Sequence, residues 1–287
     1  MLMRRSLIPQ GRIMFLYDPR NHKPCPQCSR TFLFVLLFVT APVHASGLPD
    51  TGQSTCYNNS VVDVVAASTS TSIASDVGTH PRQDCRYGRD AAAAAGVLIK
   101  TGAGAQGFDY TKIANNGTTL AAGVALGTNP TDWACTKDNI TGLTWEVKTA
   151  TNTDLRYSGH TYTWYSSVGT TNGGNAGSTG GNTCNATLPF SLCNTQAFVA
   201  AVNAAALCSY TDWRMPTTRE LLTLVYTDGS NPAIDQTYFP NTLAVTFWSG
   251  TPGIELLTYA RYVNFQDGIT ASQPKSNSEQ VRLVRGG

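Results

Sequence analysis

Cysteine is the residue type with the widest chemical scope in this 287-residue chain, and its eight positions fall into two groups. Cys25 and Cys28 form a Cys-Pro-Gln-Cys pair, a spacing that suits thiol redox chemistry or half of a zinc site. Ahead of an apolar run from Phe32 to Val39, Arg4, Arg5, Arg12, Arg20, Lys23 and Arg30 stand against a single acid, Asp18. Basic, then short apolar, then small residues is the order of a secretory signal peptide. Val43-His44-Ala45 meets the small-x-small cleavage rule, so residues 1–45 read as a signal removed after Ala45, with Met14 as an alternative start. The apolar run is about half of the ~20 residues that span a bilayer, which disfavours a retained anchor. Cys25 and Cys28 would leave with the signal, and no membrane span would follow it.

Cys56, Cys85, Cys135, Cys184, Cys193 and Cys208 remain. An even number of cysteines in an exported chain favours disulfides, and sequence alone leaves all connectivities open. If Thr195 to Leu207 forms one helix it is roughly 20 Å long. Cys193 and Cys208 then lie at opposite ends, beyond the ~7 Å Cα separation a bridge tolerates. The favoured set is Cys56–Cys85, Cys184–Cys193 and Cys135–Cys208. Zinc is the rival use of these thiols, but the chain after Ala45 has no Cys-x-x-Cys and only His80 and His160.

Other reactive groupings are sparse. There is no His-Glu-x-x-His and no Gly-x-Ser-x-Gly, and Glu146 and Asp212 stand as isolated carboxylates. A non-enzymatic protein without a cofactor is expected. Asp228, Asn231 and Asp235 offer oxygen ligands for calcium, though a polar loop leaving a helix explains them better. Arg214, Arg282 and Arg285 could form an anion site, but their setting favours structural bonds to carbonyls or to Asp212. Trp145, Trp213 and Trp248 read as core. The whole chain has 20 Lys and Arg against 18 Asp and Glu; removal of the signal leaves 14 against 17. A mildly acidic mature protein excludes general nucleic-acid binding.

The elements that must position these residues are legible mainly after residue 130. Residues 46–130 form a loop-rich, Gly- and Ala-rich region, compatible with a small disulfide-bonded lobe, with low complexity at Ser68 to Ser72 and a short helix at Asp90 to Ala95. Leu143 to Val147 and Thr161 to Tyr165 are strand-like, and a glycine-rich loop from Gly169 to Cys184 reads as permissive and unpacked. Thr195 to Leu207 is an amphipathic helix, and Thr217-Thr218-Arg219-Glu220 is a capping box opening a second one that ends near Asp228-Gly229. Phe247 to Ser249, Tyr259 to Phe265 and Gln280 to Arg285 then form a meander. The fold class is α+β, with two helices and a small antiparallel sheet.

Four motifs add a family. Asp138-Asn139-Ile140-Thr141-Gly142-Leu143-Thr144-Trp145, Asp212-Trp213-Arg214-Met215-Pro216-Thr217 and Phe247-Trp248-Ser249-Gly250-Thr251-Pro252, with the terminal Val281-Arg282-Leu283-Val284-Arg285-Gly286-Gly287, together resemble the Lcl C-terminal domain family. The resemblance implies a C-type-lectin-like domain, akin to the formylglycine-generating-enzyme fold, over residues 131–287. It implies a ligand-binding or adhesion module in the periplasm, at the cell surface or outside the cell, with a glycan or a surface protein as partner. A structural subunit of an envelope or appendage complex is the alternative. The family's namesake recognises sulfated glycosaminoglycans, but this chain lacks its collagen-like Gly-X-Y repeat and is mildly acidic. Catalysis by a formylglycine-generating relative needs a cysteine pair in the C-terminal core, whereas no cysteine follows Cys208.

The expected ligand surface lies on the meander. Side chains alternate across a strand, so Val263 and Phe265 point inward and bring Arg261 to their side. Tyr262, Asn264 and Gln266 then point outward, combining rigid aromatic area with adaptable amides, and Arg261 reaches the rim as an anion contact. These four are the predicted ligand-binding residues.

Overall fold

The computed structural model describes residues 50–53, 56–57, 62–63, 85, 88–185, 187–188, 192–229 and 231–286. The chain divides into units 1–43 and 44–287, and every described residue belongs to the second. The expected signal at residues 1–45 with Cys25 and Cys28, the Ser68 to Ser72 stretch and His80 lie outside the described residues. No described helix is long and apolar enough to cross a membrane.

Two short strands, β1 (Cys56–Tyr57) and β2 (Val62–Asp63), pair antiparallel, and α1 (Arg89–Ala94) follows. The first sheet then forms from β3 (Tyr110–Ala114), β4 (Trp133–Asp138) and β5 (Thr144–Glu146), with β11 (Val284–Arg285) closing it in the order β11-β5-β4-β3. All its pairs are antiparallel, and β5 sits between the start and the end of the family region. The β4–β5 link is tight because Asp138 accepts from Ile140 N at 2.8 Å and Thr141 Oγ1 at 2.7 Å, with Gly142 at φ 76° completing the turn. β6 (Tyr162–Thr163) pairs with β10 (Ser278–Glu279). The meander is β7 (Thr246–Pro252), β8 (Tyr259–Asn264) and β9 (Thr270–Pro274), with β8 central.

Two further helices join these sheets. α2 (Thr195–Ala204) starts where Asn194 accepts from Ala197 N at 2.9 Å and buries Phe198 and Val202. It is shorter than expected: Ala206 turns left-handed at φ 48°, and a single 3-10 turn at Leu207–Ser209 delivers Cys208 to its bond with Cys135. α3 (Thr218–Leu222) carries the expected capping box between Thr217 and Glu220 but lasts only five residues. Leu221, Leu224 and Val225 are buried all the same, because a turn continues the inward face beyond the helix. Burial of such side chains, at about 2 kcal/mol each, outweighs the marginal stability of a one-turn helix.

The core has two lobes. One gathers Tyr162, Trp164, Phe198, Val202, Trp213 and Trp248; the other gathers Tyr110, Trp145, Leu221, Phe239, Phe247 and Phe265. All three family tryptophans are therefore core residues, at 2% exposure or less. Cys135–Cys208 and Cys184–Cys193 are bonded with Cα separations of 6.5 and 5.5 Å. Cys85 is disulfide-bonded and buried, while the side chain of Cys56 lies outside the described residues. The described residues thus form a mixed α+β fold with several small antiparallel sheets.

The glycine-rich loop differs from expectation: it is packed. Lys275 enters it and donates from Nζ to the carbonyls of Asn172 at 2.8 Å, Asn175 at 2.6 Å and Leu257 at 2.8 Å, lying 4.3 Å above the Trp164 ring. Gly180, at φ 101°, passes so close to Cys193 that a Cβ would sit 2.7 Å from its carbonyl oxygen. Gly173, Gly177 and Gly180 thus permit close approach, whereas Gly169 and Gly181 stand in open space.

Candidate functional site

The β7–β8 hairpin ends in an apolar tip. β7 and β8 pair from Thr246↔Asn264 to Pro252↔Ala260, with a register shift between Trp248 and Pro252, and Gly253 N donates to Tyr259 O at 2.8 Å to close the turn. Beyond that closure Ile254 is 81% exposed, Leu256 52% and Leu257 59%. Lys275 ties the Leu257 carbonyl to the glycine-rich loop through the carbonyls of Asn172 and Asn175. Arg261 reaches the tip and meets Glu255 at 3.5 Å. The hairpin tip thus presents three exposed aliphatic side chains beside the Arg261–Glu255 ion pair.

The four predicted residues do not form one face. Arg261 belongs to the tip. Tyr262 is half-buried and packs on the first core lobe, which also holds Ala260, while Val263 and Phe265 enter the second. The expectation of an outward Tyr262 fails because β8 is covered on both sides: alternation assigns faces, but it cannot say that one is solvent. Asn264 lies three residues beyond Arg261, about 10 Å along the strand and away from the tip. Its side chain accepts from Gln266 N at 2.9 Å and so fixes the β8–β9 turn. Gln266 is exposed in that turn. Only Arg261 is joined to the tip, and the apolar letters between Gly253 and Thr258 were the signal that pattern reading passed over.

The charged residues of the sequence motifs are engaged within the protein. Arg285 grips Asp212 through Nε and Nη2, both at 2.9 Å, and lies 3.9 Å over the Tyr210 ring. These bonds hold the Asp212 carboxyl below its usual range. Arg214 forks onto Glu220 at 2.9 and 2.6 Å. Burial works to raise the Glu220 carboxyl, yet the Arg214 fork and the capping bonds from Thr217 outweigh it and lower the group. Arg285 on Asp212 and Arg282 on the Glu146 carbonyl are the structural bonds expected of these arginines.

Glu146 is the deeper case. It is fully buried, pairs with Lys148 Nζ at 2.8 Å and accepts from Leu283 N at 3.0 Å. Arg282, also fully buried, donates to the Glu146 carbonyl at 2.7 Å and to Thr242 Oγ1 at 2.6 Å, beside the rings of Phe239 and Phe247. Burial pushes Lys148 down to about 8 in spite of the Glu146 carboxylate, and pushes Arg282 down to about 10. Lys148 and Lys275 went unnoticed in the sequence, where nothing separates a buried lysine from a surface one.

Acidic residues elsewhere fix backbone. Asp109 accepts from Thr101 N and Gly102 N, and Asp235 accepts from Ala105 N and Thr237 N, all within 2.7–2.9 Å. Among the described residues no group of three or more His, Cys, Asp or Glu side chains could hold a metal ion.

Strand β5, the Trp213 turn with its capping box, and the β7 and β11 strands thus form one interlocked unit, and it coincides with a family profile. The profile of the Lcl C-terminal domain matches residues 134–285, more than half of the chain. The chain belongs to the Lcl C-terminal domain family. Neither the curated proteins nor the solved structures contain a match to it. Within this Lcl domain the matched segment begins in β4 and ends in β11, the two strands that flank β5.

Proposed function

We propose that the mature chain is an exported, non-enzymatic binding module that docks onto a surface protein through the β7–β8 end of its meander. The single observation that carries this reading is the tip itself: Ile254, Leu256 and Leu257 stand exposed together beside Arg261. Contiguous exposed aliphatic side chains with a polar rim are a mark of interaction surfaces. The tip favours a protein ligand over a sugar, which would call for an open aromatic face. Of the residues expected from the strand pattern, Arg261 is the one that borders this surface. Engagement of the motif carboxylates in ion pairs supports a non-catalytic role.

Export is supported by the order of residues in 1–45 and by the disulfides, which persist in oxidising compartments. The succession of strand, two helices and returning meander supports a C-type-lectin-like arrangement. Periplasm, cell surface and extracellular medium are all compatible destinations.

The test uses secreted protein. Non-reducing intact mass should place the start at Ser46 with no free thiol; retention of Cys25 and Cys28 would overturn the export reading. Purified 46–287 should then capture an envelope protein by crosslinking and leave a glycan array blank. Glycan binding unaffected by Arg261→Ala would overturn both the ligand class and the surface.

A further inference from the structure

A second site, remote in chemistry from the hairpin tip, opens beside the C-terminal end of α2. A cleft of about 370 Å³ is walled by Leu155, Val202 and Leu207 on its apolar side and by Asn116, Asp154 and Arg156 on its polar side. Arg156 is 8% exposed. Its Nη1 donates to the carbonyls of Ala134 at 3.1 Å and of Val147, which fixes the guanidinium plane. Among the described residues nothing bonds Nε or Nη2, and neither atom is sealed from solvent. Arg156 is thus a nine-tenths-buried guanidinium that lines the cleft and keeps one edge unbonded.

The charge behind that edge matters. Arg156, Lys148 and Arg282 all act on, or are acted on by, the one buried carboxylate Glu146. With Asp154 at the cleft wall included, three cations face two carboxylates, an excess of one positive charge in a low-dielectric setting. Such an excess is costly unless an anion approaches it. Arg156 is the member of this group that borders the cleft.

We propose that the cleft binds a small monocarboxylate with an apolar body, its carboxylate bridging Nε and Nη2 of Arg156. The free edge is planar and two-pronged, the geometry that matches a carboxylate bidentately. Arg285 uses the same Nε and Nη2 edge on Asp212 within this molecule. Asp154 on the same wall disfavours a polyanion, and the Leu155, Val202 and Leu207 surface receives an alkyl chain rather than a polar one. This site is independent of the surface-protein reading and stands or falls without it.

The probe is hexanoate, titrated into 46–287 and followed by backbone amide shifts and thermal stabilisation. Hexanoate should bind saturably with a Kd on the order of 1 mM, the strength small-ligand efficiencies allow. Hexanamide, which cannot accept at both oxygens, should bind at least about tenfold more weakly, and so should sulfate. Arg156→Lys keeps the charge and loses the fork, but it also touches the Ala134 and Val147 bonds and could unfold the protein. Ala205→Trp therefore serves as the second variant, since Ala205 lines the cleft from the exposed end of α2 without joining the buried network. It should weaken hexanoate at least about tenfold with the melting temperature unchanged. Equal binding of hexanoate and hexanamide, saturable binding untouched by Ala205→Trp, or an absence of saturable binding would each overturn the proposal.

Discussion

Two acid–base pairs in this molecule use the same chemistry in opposite surroundings. Glu146 and Lys148 meet at 2.8 Å with side chains 0 and 1% exposed. Glu255 and Arg261 meet at 3.5 Å with side chains 60 and 30% exposed. In the interior the charges are fixed by their neighbours, and removal of one leaves the others without compensation. At the hairpin tip water screens the pair, which contributes about 0–1 kcal/mol to stability and can exchange its partner for one on another molecule. Position therefore separates holding the fold from meeting a ligand, although the residue types are alike.

The comparison breaks most visibly at Glu146. Glu146→Gln removes the carboxylate from beneath Lys148 and Arg282, and urea unfolding should show a loss of about 3–5 kcal/mol. A loss below ~1 kcal/mol, the range of exposed pairs, would erase the distinction.

Next in size is the disulfide framework. Replacement of Cys135 and Cys208 together by Ala should cost about 2–4 kcal/mol. His160, whose Nε2 lies 3.2 Å from the Asp154 carbonyl and whose pKa burial lowers, should matter less. If chelator lowers the melting temperature while reductant and His160→Ala leave it alone, metal rather than disulfides holds this half of the molecule.

Titration sharpens the interior side. Burial holds Lys148 near 8 in the folded state, below its ordinary value of 10.5, so the unfolded chain binds the extra proton between these limits. Stability therefore rises as pH increases through that window, by on the order of 2 kcal/mol up to pH 10. Above pH 10 the raised Tyr110 and Tyr162 hydroxyls work against further gain, because the unfolded chain ionises first, while Arg282, held near 10, works in favour of it. Lys148→Met should flatten the rising limb, and a falling limb between pH 8 and 10 in the native protein would contradict the placement of Lys148. The smallest effect belongs to Arg261→Ala, which should move stability by less than ~0.5 kcal/mol.

Much of the scaffold was legible in the sequence for physical reasons. The Thr217–Glu220 box is a local hydrogen-bond exchange, so four adjacent residues suffice to specify it. The Cys184–Cys193 and Cys135–Cys208 bonds agree with the pairing favoured from the sequence, where helix length excluded only Cys193–Cys208 and left the other connectivities open. What stayed hidden was non-local. Tyr110 to Ala114 joins the first sheet only through its pairing with β4 at Trp133–Asp138, and Lys275 packs the glycine-rich loop across about a hundred residues of sequence. The covered face of Tyr262 was hidden too, because strand alternation is blind to a second layer. The site suffered most: Arg261 could be chosen from its strand, whereas its neighbour Glu255 and the exposed Ile254 and Leu256 emerge only when the hairpin folds back.

The most direct test of the central claim is one variant read in two ways. Ile254→Ser with Leu256→Ser changes the tip and leaves the buried Glu146 network untouched. Melting temperature and capture of the crosslinked envelope partner are measured on the same preparation. The account predicts a melting temperature within about 2 °C of the parent, since both side chains are exposed, together with loss of capture. Undiminished capture by a stably folded variant would contradict it.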